Sequence, residues 1–329
     1  MIFISNRRKL IIRYIFVFLI IGVIIYTFRD SAVPVLTQLK ETSFFVICMI
    51  CLCSLGYQVV QGWIIAGMAK KYQPGLTIRQ GISCAFYSAF YRVATLGGGG
   101  EIAAVYYLTR YGVDASAGTG VYMVAYMMQR VGIAVFTTIC FFLSYHFMKI
   151  HYGAYFSYLV LGYGLTILIM ALIIIGSCWK RFHQVVLGII KKLDKKGKVY
   201  LAAEHYFNTL SDYSIQLLHD RKTVAGVLGK EMLKSLCWYS IPFVVVHQQT
   251  GLSFIDSLSV TSLSVMLATV LPTPAGIGST EVTFALLYNG ILGTGLAGST
   301  VLLYRFATFM FPFLLGIVVA VFQALKKRS

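Results

Sequence analysis

Thr95–Leu108, TLGGGGEIAAVYYL, and Pro274–Tyr288, PAGIGSTEVTFALLY, state one pattern twice, about 180 residues apart. Each is a glycine-rich break, then a glutamate (Glu101, Glu281), then an apolar run of helical character. A lone arginine in a hydrophobic segment follows each break, Arg130 after the first and Arg305 after the second. A charged side chain at the bilayer centre costs roughly 2.5–3.5 kcal/mol on insertion scales, so two matched sets of carboxylate and guanidinium require a reason. Duplicated broken helices near the midplane are the sequence mark of a transporter-type site.

Composition agrees with a membrane setting. Hydrophobic residues make up 58% of the chain and charged residues 12%, with a mean hydropathy of +0.78. A soluble domain carries about 25% charged residues, so that class is excluded. The net charge of +17 would point to nucleic acid in a soluble protein. Here the lysines and arginines gather in a few short hydrophilic segments, which is the signature of topology and of contact with anionic lipid. No nucleic-acid partner is expected. Cys48, Cys51, Cys53, Cys84, Cys140, Cys178 and Cys237 lie mostly in apolar runs and read as buried small residues. The Cys48–Cys51 spacing has no second pair, and no histidines cluster at ligand spacing, so neither a metal nor another cofactor is indicated. Arg7, Arg8 and Lys9 precede an apolar run to about Phe28 without a small-residue cleavage site, which fits an uncleaved first span.

The expected fold is an all-α polytopic membrane protein, one integral membrane domain over 1–329. Its halves are 1–178 and 224–329, joined by a basic amphipathic segment at 179–223. About six full spans are readable, at Leu10–Phe28, Ser43–Met68, Gly118–Phe147, Tyr155–Cys178, Val224–Val246 and Ala297–Val321, each near the roughly 20 residues a bilayer requires. Two further apolar regions are broken: Gln80–Tyr111 at its glycines, and Phe254–Gly290 at Pro272–Gly278. Arg7–Lys9, Lys70–Lys71, the basic 179–223 segment and Lys326–Arg328 place the N-terminus, that segment and the C-terminus in the cytoplasm. Parity then makes the first broken region enter and leave from the cytoplasmic side and the second from outside, an inverted repeat. Within the cytoplasmic segment Phe182, Val185, Val186, Ile189, Ile190 and Leu193 recur at helical spacing beside Lys191, Lys192, Lys195 and Lys196, and Phe207, Leu210, Tyr213, Leu217 and Leu218 repeat the pattern. Such helices lie in the head-group plane or pack beneath a bundle.

Pro272 and Pro274 end a helix, and Gly276 and Gly278 permit turns that hydrocarbon-exposed helix does not tolerate. Ser279 or Thr280 is the expected N-cap, with Glu281 in the first turn. A helix that begins inside the membrane presents free N–H groups and a positive dipole end, a ready site for phosphate. Gly97, Gly98, Gly99 and Gly100 with Glu101 repeat the device. Glu101 and Glu281 either satisfy first-turn amides or pair with Arg130 and Arg305; Arg92 is a third cationic candidate, or snorkels to the interface. The candidate head-group residues are therefore Arg92, Glu101, Arg130, Glu281 and Arg305. Lys230, Glu231 and Lys234 open a span and read as solvated. No nucleophile elbow, phosphate loop or catalytic cluster is present.

The run Gly97–Gly112 (GGGGEIAAVYYLTRYG), then Gln129-Arg130-Val-Gly, Leu271–Glu281 and Tyr304-Arg305 resembles the transmembrane region of the lysylphosphatidylglycerol synthases, the bacterial multiple peptide resistance factors, over essentially the whole chain. The first motif departs mildly, since the family often has an aspartate and an arginine near Glu101 and its alanines. The resemblance implies a bacterial inner-membrane protein that flips an anionic or lysyl-modified phospholipid, with phosphatidylglycerol or its lysyl ester as partner. It also implies antibiotic-peptide resistance as the context. The family's lysyltransferase chemistry resides in a separate soluble domain, absent before the end at Ser329. Membership of a lysyltransferase, with or without a partner subunit, and carriage of another lipid-linked anion are the alternatives.

Overall fold

The computed structural model describes residues 32–326 except 96, 179, 195–196, 198, 206, 209–219 and 270–277. Every named regular element among them is helical: α1 Ala32–Glu41, α2 Phe44–Ala69, α3 Ile78–Ala94, α4 Gly99–Thr109, α5 Ala115–Leu143, α6 Tyr145–Tyr152, α7 Phe156–Cys178, α8 Lys180–Leu193, α9 Arg221–Tyr239, α10 Ile241–Val246, α11 Phe254–Ala268, α12 Ser279–Arg305 and α13 Phe311–Lys326. Backbone polar groups have no water partners in lipid, so only such self-satisfied elements can cross. Among the described residues three helical stretches are long and apolar enough to span a bilayer: α2, α5 and the run Ser279–Lys326.

The first expected span, Leu10–Phe28, lies outside the described residues. Tyr155–Cys178 is α7. The expected continuous span Val224–Val246 is broken: α9 ends at Tyr239, capped by Ser240, and Pro242 sits at the start of α10. The broken region 80–111 is a helical hairpin, α3 and α4. A capping box starts α3, with the Thr77 hydroxyl accepting from the Gln80 N–H and the Gln80 side chain accepting from the Thr77 N–H at 2.7 Å. Its crossing with α2 depends on glycine: a side chain at Gly62 would put Cβ 2.4 Å from the Ile82 backbone, and one at Gly81 would lie 2.2 Å from the Gly62 carbonyl. Small residues let the two backbones touch.

A further reversal is hidden within α12. A straight helix would separate Glu281 from Arg305 by about 36 Å at 1.5 Å per residue, yet the two side chains are 2.5 Å apart. The chain reverses at Gly293, whose φ of 74° and ψ of 165° interrupt the helix. The outward leg of α12 therefore pairs with α11, and the returning leg leads through a π-helical turn, Phe306–Met310, into α13.

Contacts fix which ends share a face. Lys71, at the end of α2, lies 3.8 Å from Asp220, the N-cap of α9. Hydrogen bonds from the Thr223 hydroxyl and amide, then the charge of Lys71, hold the Asp220 carboxyl below its ordinary range. Arg110, just after α4, donates to the Gln323 carbonyl at 3.3 Å near the end of α13. These ends form one basic face, with Lys70, Lys71, Arg110, Arg221, Lys222 and Lys326. At the opposite face the Ser144 hydroxyl after α5 donates to Asp256 in the first turn of α11. The α3–α4 hairpin thus enters from the basic face and the α11–α12 hairpin from the other. Their opposed orientation is the one the charge pattern requires. Apolar packing fills the space around them, with α2, α5 and α9 joined through Ile64, Val124, Met128 and Val227.

The cysteines depart from the expected burial. Cys84 and Cys140 are buried, but Cys48 faces outward and Cys51, Cys53 and Cys237 are only partly covered. In a bilayer an outward apolar position meets lipid rather than water, so the helix periphery tolerates a small hydrophobe as well as the core does.

Candidate functional site: a cation-lined central cavity

Described residues flanking both breaks, Gly97 in the first and Thr269 and Thr280 beside the second, line two adjoining cavities of 370 and 220 Å³. Tyr57, Arg92, Gln129, Trp238 and Val265 line both. Arg92, fourteen residues past the start of α3 and so about 21 Å along it, is therefore at the deep end of the hairpin rather than snorkelling to the interface. The larger cavity adds Gly97, Glu101, Arg130 and Lys234. The smaller adds Thr280 and Arg305. Four cationic side chains from α3, α5, α9 and α12 converge on this connected space, which is the arrangement an anionic ligand requires.

Each carboxylate has a cation, though not always the expected one. Glu281 answers both alternatives at once. One oxygen lies 2.5 Å from Arg305, and the other accepts from the Gly278 N–H at 2.8 Å. The N-cap is therefore Gly278, at φ 89°, and not Ser279 or Thr280; a left-handed residue is needed there for the chain to enter the helix from the break. Ser279 is the first helical residue. Glu101 pairs with Arg92 at 3.6 Å, both about half exposed, and not with Arg130. The reason is geometric: Arg92 and Glu101 flank the same break, where Gly97 at φ 111° turns the chain back. Arg130 instead reaches one helical turn along α5, donating to the Tyr126 hydroxyl at 2.6 Å and lying over that ring at 4.7 Å. Among the described residues it has no carboxylate partner.

The glycine amides are partly committed. The Gly97 N–H donates to the Arg92 carbonyl at 2.7 Å and the Gly99 N–H to the Thr95 hydroxyl at 2.7 Å. Gly100 packs against Arg92 and the Ser88 carbonyl, where a Cβ would sit 3.0–3.1 Å away. Among the described residues nothing lies within 4 Å of where a side chain at Gly98 would begin. Pro272, Pro274 and Gly276 lie outside the described residues.

Sequence reasoning placed Lys230, Glu231 and Lys234 in solvent at the end of a span. The structure corrects this for two of them. Glu231 and Lys234 are each 1% exposed and form an ion pair at 2.5 Å, while Lys230 lies over the Trp63 ring at 4.6 Å. The signal available was an i, i+3 carboxylate–ammonium pair inside an otherwise apolar run; it was masked by Arg221 and Lys222, which made the helix start look basic throughout. Lys234 lies thirteen residues past Arg221, about 20 Å along α9. Tyr57 and Trp238, stacked at 3.5 Å and 8°, and Gln129 were also not singled out as ligands. The aromatic pair forms a flat wall, and among the described residues the Trp238 indole N–H has no hydrogen-bond partner.

No curated protein matches the chain. Residues 10–316, by contrast, match the family profile described as the lysylphosphatidylglycerol synthase TM region. With nearly the whole chain covered, this protein belongs to the lysylphosphatidylglycerol synthase transmembrane-region family.

Proposed function

We propose that this protein receives the phosphate of an anionic or lysyl-modified phospholipid in the central cavity and moves that lipid between leaflets of the bacterial inner membrane. The observation that carries the reading is the convergence of Arg92, Arg130, Lys234 and Arg305 on cavities where two opposed hairpins meet. Charged groups held inside a membrane bundle line substrate paths, and a site between inverted hairpins can be opened from either side by rocking one against the other. Family membership adds the lipid class as a proposal. A lysyl ammonium, where the lipid carries one, would face Glu101, the most exposed of the three carboxylates. Cationic-peptide resistance follows if the lipid moved outward lowers the negative charge of the outer surface.

Purified protein in proteoliposomes should move a fluorescent anionic phospholipid between leaflets. Arg130→Gln should slow this at least tenfold, about 1.4 kcal/mol of lost head-group stabilisation. Lys191→Ala, on α8, should leave the rate within twofold. Normal movement by the Arg130 variant would remove the site. Lysyl-lipid formed when lysyl-tRNA and phosphatidylglycerol are added to the chain alone would replace the carrier reading with a transferase one.

A further inference from the structure

One cation in the cavity wall is built differently from the rest. The Lys234 ammonium is 2.5 Å from Glu231 and donates to Gln61 Oε1 at 2.7 Å. An ammonium carries three N–H groups; the described residues take two of them in hydrogen-bonding range, and Lys234 lines the larger cavity beside Arg130. Glu231, in contrast, lines neither cavity. It is shut in by α5, where a side chain at Gly132 would press Cβ to 2.7 Å from the Glu231 Cβ. Apart from Lys234, neither Glu231 oxygen has a partner among the described residues. The carboxylate therefore neutralises Lys234 from outside the cavity that Lys234 lines, while the ammonium also lies 5.4 Å from the centre of the Tyr57 ring in the same wall. The other charged or titratable groups around the pair are Tyr57 from α2, Arg92 from α3, Arg130 from α5 and Tyr239 from α9.

The charges around the cavity can then be summed. Arg92 sits with Glu101, Arg305 with Glu281 and Lys234 with Glu231, and Arg130 has no carboxylate. Residues 270–277, next to the cavity in the chain, include no charged residue. The balance is one positive charge. Without Glu231 it would be two.

We infer that Glu231 and Lys234 are the charge selector of this site, fitting it to a singly charged oxyanion such as a phosphodiester and against a doubly charged phosphomonoester. The inference rests on the reading of the cavity as a lipid-phosphate site. A monoanion between Arg130 and Lys234 completes the charge balance, and the unpartnered Trp238 N–H supplies a neutral donor at the same wall. A dianion leaves one negative charge unmatched among the cavity's charges, the kind of penalty by which sites reject a near-isostere. Glu231 thus acts through Lys234, as a positioning and charge-setting residue that does not touch the ligand.

The test compares dioctanoyl phosphatidylglycerol, a diester, with dioctanoyl phosphatidic acid, a monoester, by titration calorimetry on the full chain in detergent. At about pH 8.5 the monoester has lost its second proton, whose pKa is near 6 to 7. The unaltered protein should bind the diester at least tenfold tighter. On lowering the pH to about 5.5 the monoester becomes a monoanion, and its affinity should rise toward that of the diester, which itself stays constant. Glu231→Gln should shrink the diester preference at least tenfold at the higher pH. The double variant Glu231→Gln with Lys234→Met, which removes both charges, should restore the preference at lower overall affinity. Equal binding of the two lipids by the unaltered protein at high pH overturns the selector while leaving the phosphate site standing. An unchanged ratio in folded Glu231→Gln does the same. Binding of neither lipid at any pH removes the phosphate site and the inference together.

Discussion

Glu281 and Arg305 show how a single intramembrane pair serves two ends. One carboxylate oxygen completes the N-terminus of α12 through the Gly278 amide, and the other holds the returning leg of the same hairpin through Arg305. Removing one partner of such a pair strands a charge and typically costs about 3–5 kcal/mol, whereas removing both is milder. Glu281→Gln should therefore lower the yield of folded protein in detergent more than Glu281→Gln combined with Arg305→Gln, measured by size-exclusion profile and thermal melt. Equal damage from the two would mean that the capping bond to Gly278, and not the ion pair, is what matters. This pair was legible in the sequence because glutamate and arginine stand out against apolar neighbours at matched spacing. The Arg92–Glu101 pair was half legible: both residues were candidates, but the partner chosen by spacing was Arg130, and a hairpin brings together residues nine positions apart across a turn that spacing along one helix does not describe. Glu231 and Lys234 were misread because a salt bridge one turn apart near a basic helix start looks the same whether it is solvated or enclosed. Only the neighbours, Gly132 on α5 and Gln61 on α2, distinguish the two.

The helices divide into those whose length was readable and those whose breaks were not. The span Ser43–Met68 corresponds to α2 nearly residue for residue, since uninterrupted apolar sequence has no competing structure in lipid. The break between α9 and α10 went unread because Pro242 lies within an apolar run, where hydropathy continues across the helix end. Gly293 is a similar case: one glycine among several in Gly290–Gly298, and only its φ of 74° marks the reversal. The amphipathic helix α8 was readable from its period, and its surroundings decide between the two readings that period allows. Val185 and Ile189 on its apolar side are 62% and 54% exposed, so that side is not packed beneath the bundle. His183, 5% exposed, instead stacks with Phe207 at 4.6 Å. An apolar stripe flanked by Lys191 and Lys192 fits the acyl–head-group boundary of an anionic leaflet. Val185→Trp in protein reconstituted with phosphatidylglycerol should then show blue-shifted emission quenched by head-group-level doxyl lipid and little affected by aqueous iodide. Strong iodide quenching would place this helix in water.

At the scale of the molecule, two hairpins of opposite entry follow from the same feature, a glycine-rich break followed by a glutamate, used once in each half, and Arg130 and Arg305 follow those breaks while α9 adds Lys234. The sequence pattern carried the inverted arrangement because charge fixes sidedness segment by segment, and the contacts Lys71–Asp220 and Ser144–Asp256 assign the helix ends to the same two faces independently. The basic face carries Lys70, Lys71, Arg110, Arg221, Lys222 and Lys326, whereas the turn between α10 and α11, His247–Ser253, carries no lysine or arginine. The excess of lysine and arginine in short loops marks the cytoplasmic side. In a cysteine-free background, Lys192→Cys should therefore be inert to an impermeant maleimide applied to intact cells and react once they are opened, while Gln249→Cys should react from outside. The two reporters lie on opposite faces of the bundle and must give opposite answers if the hairpins enter from opposite sides. Reversal of both would invert the protein in its membrane and leave the hairpin architecture intact, so the direction of lipid movement would have to be reassigned. The same answer from both would break the parity on which the inverted repeat rests.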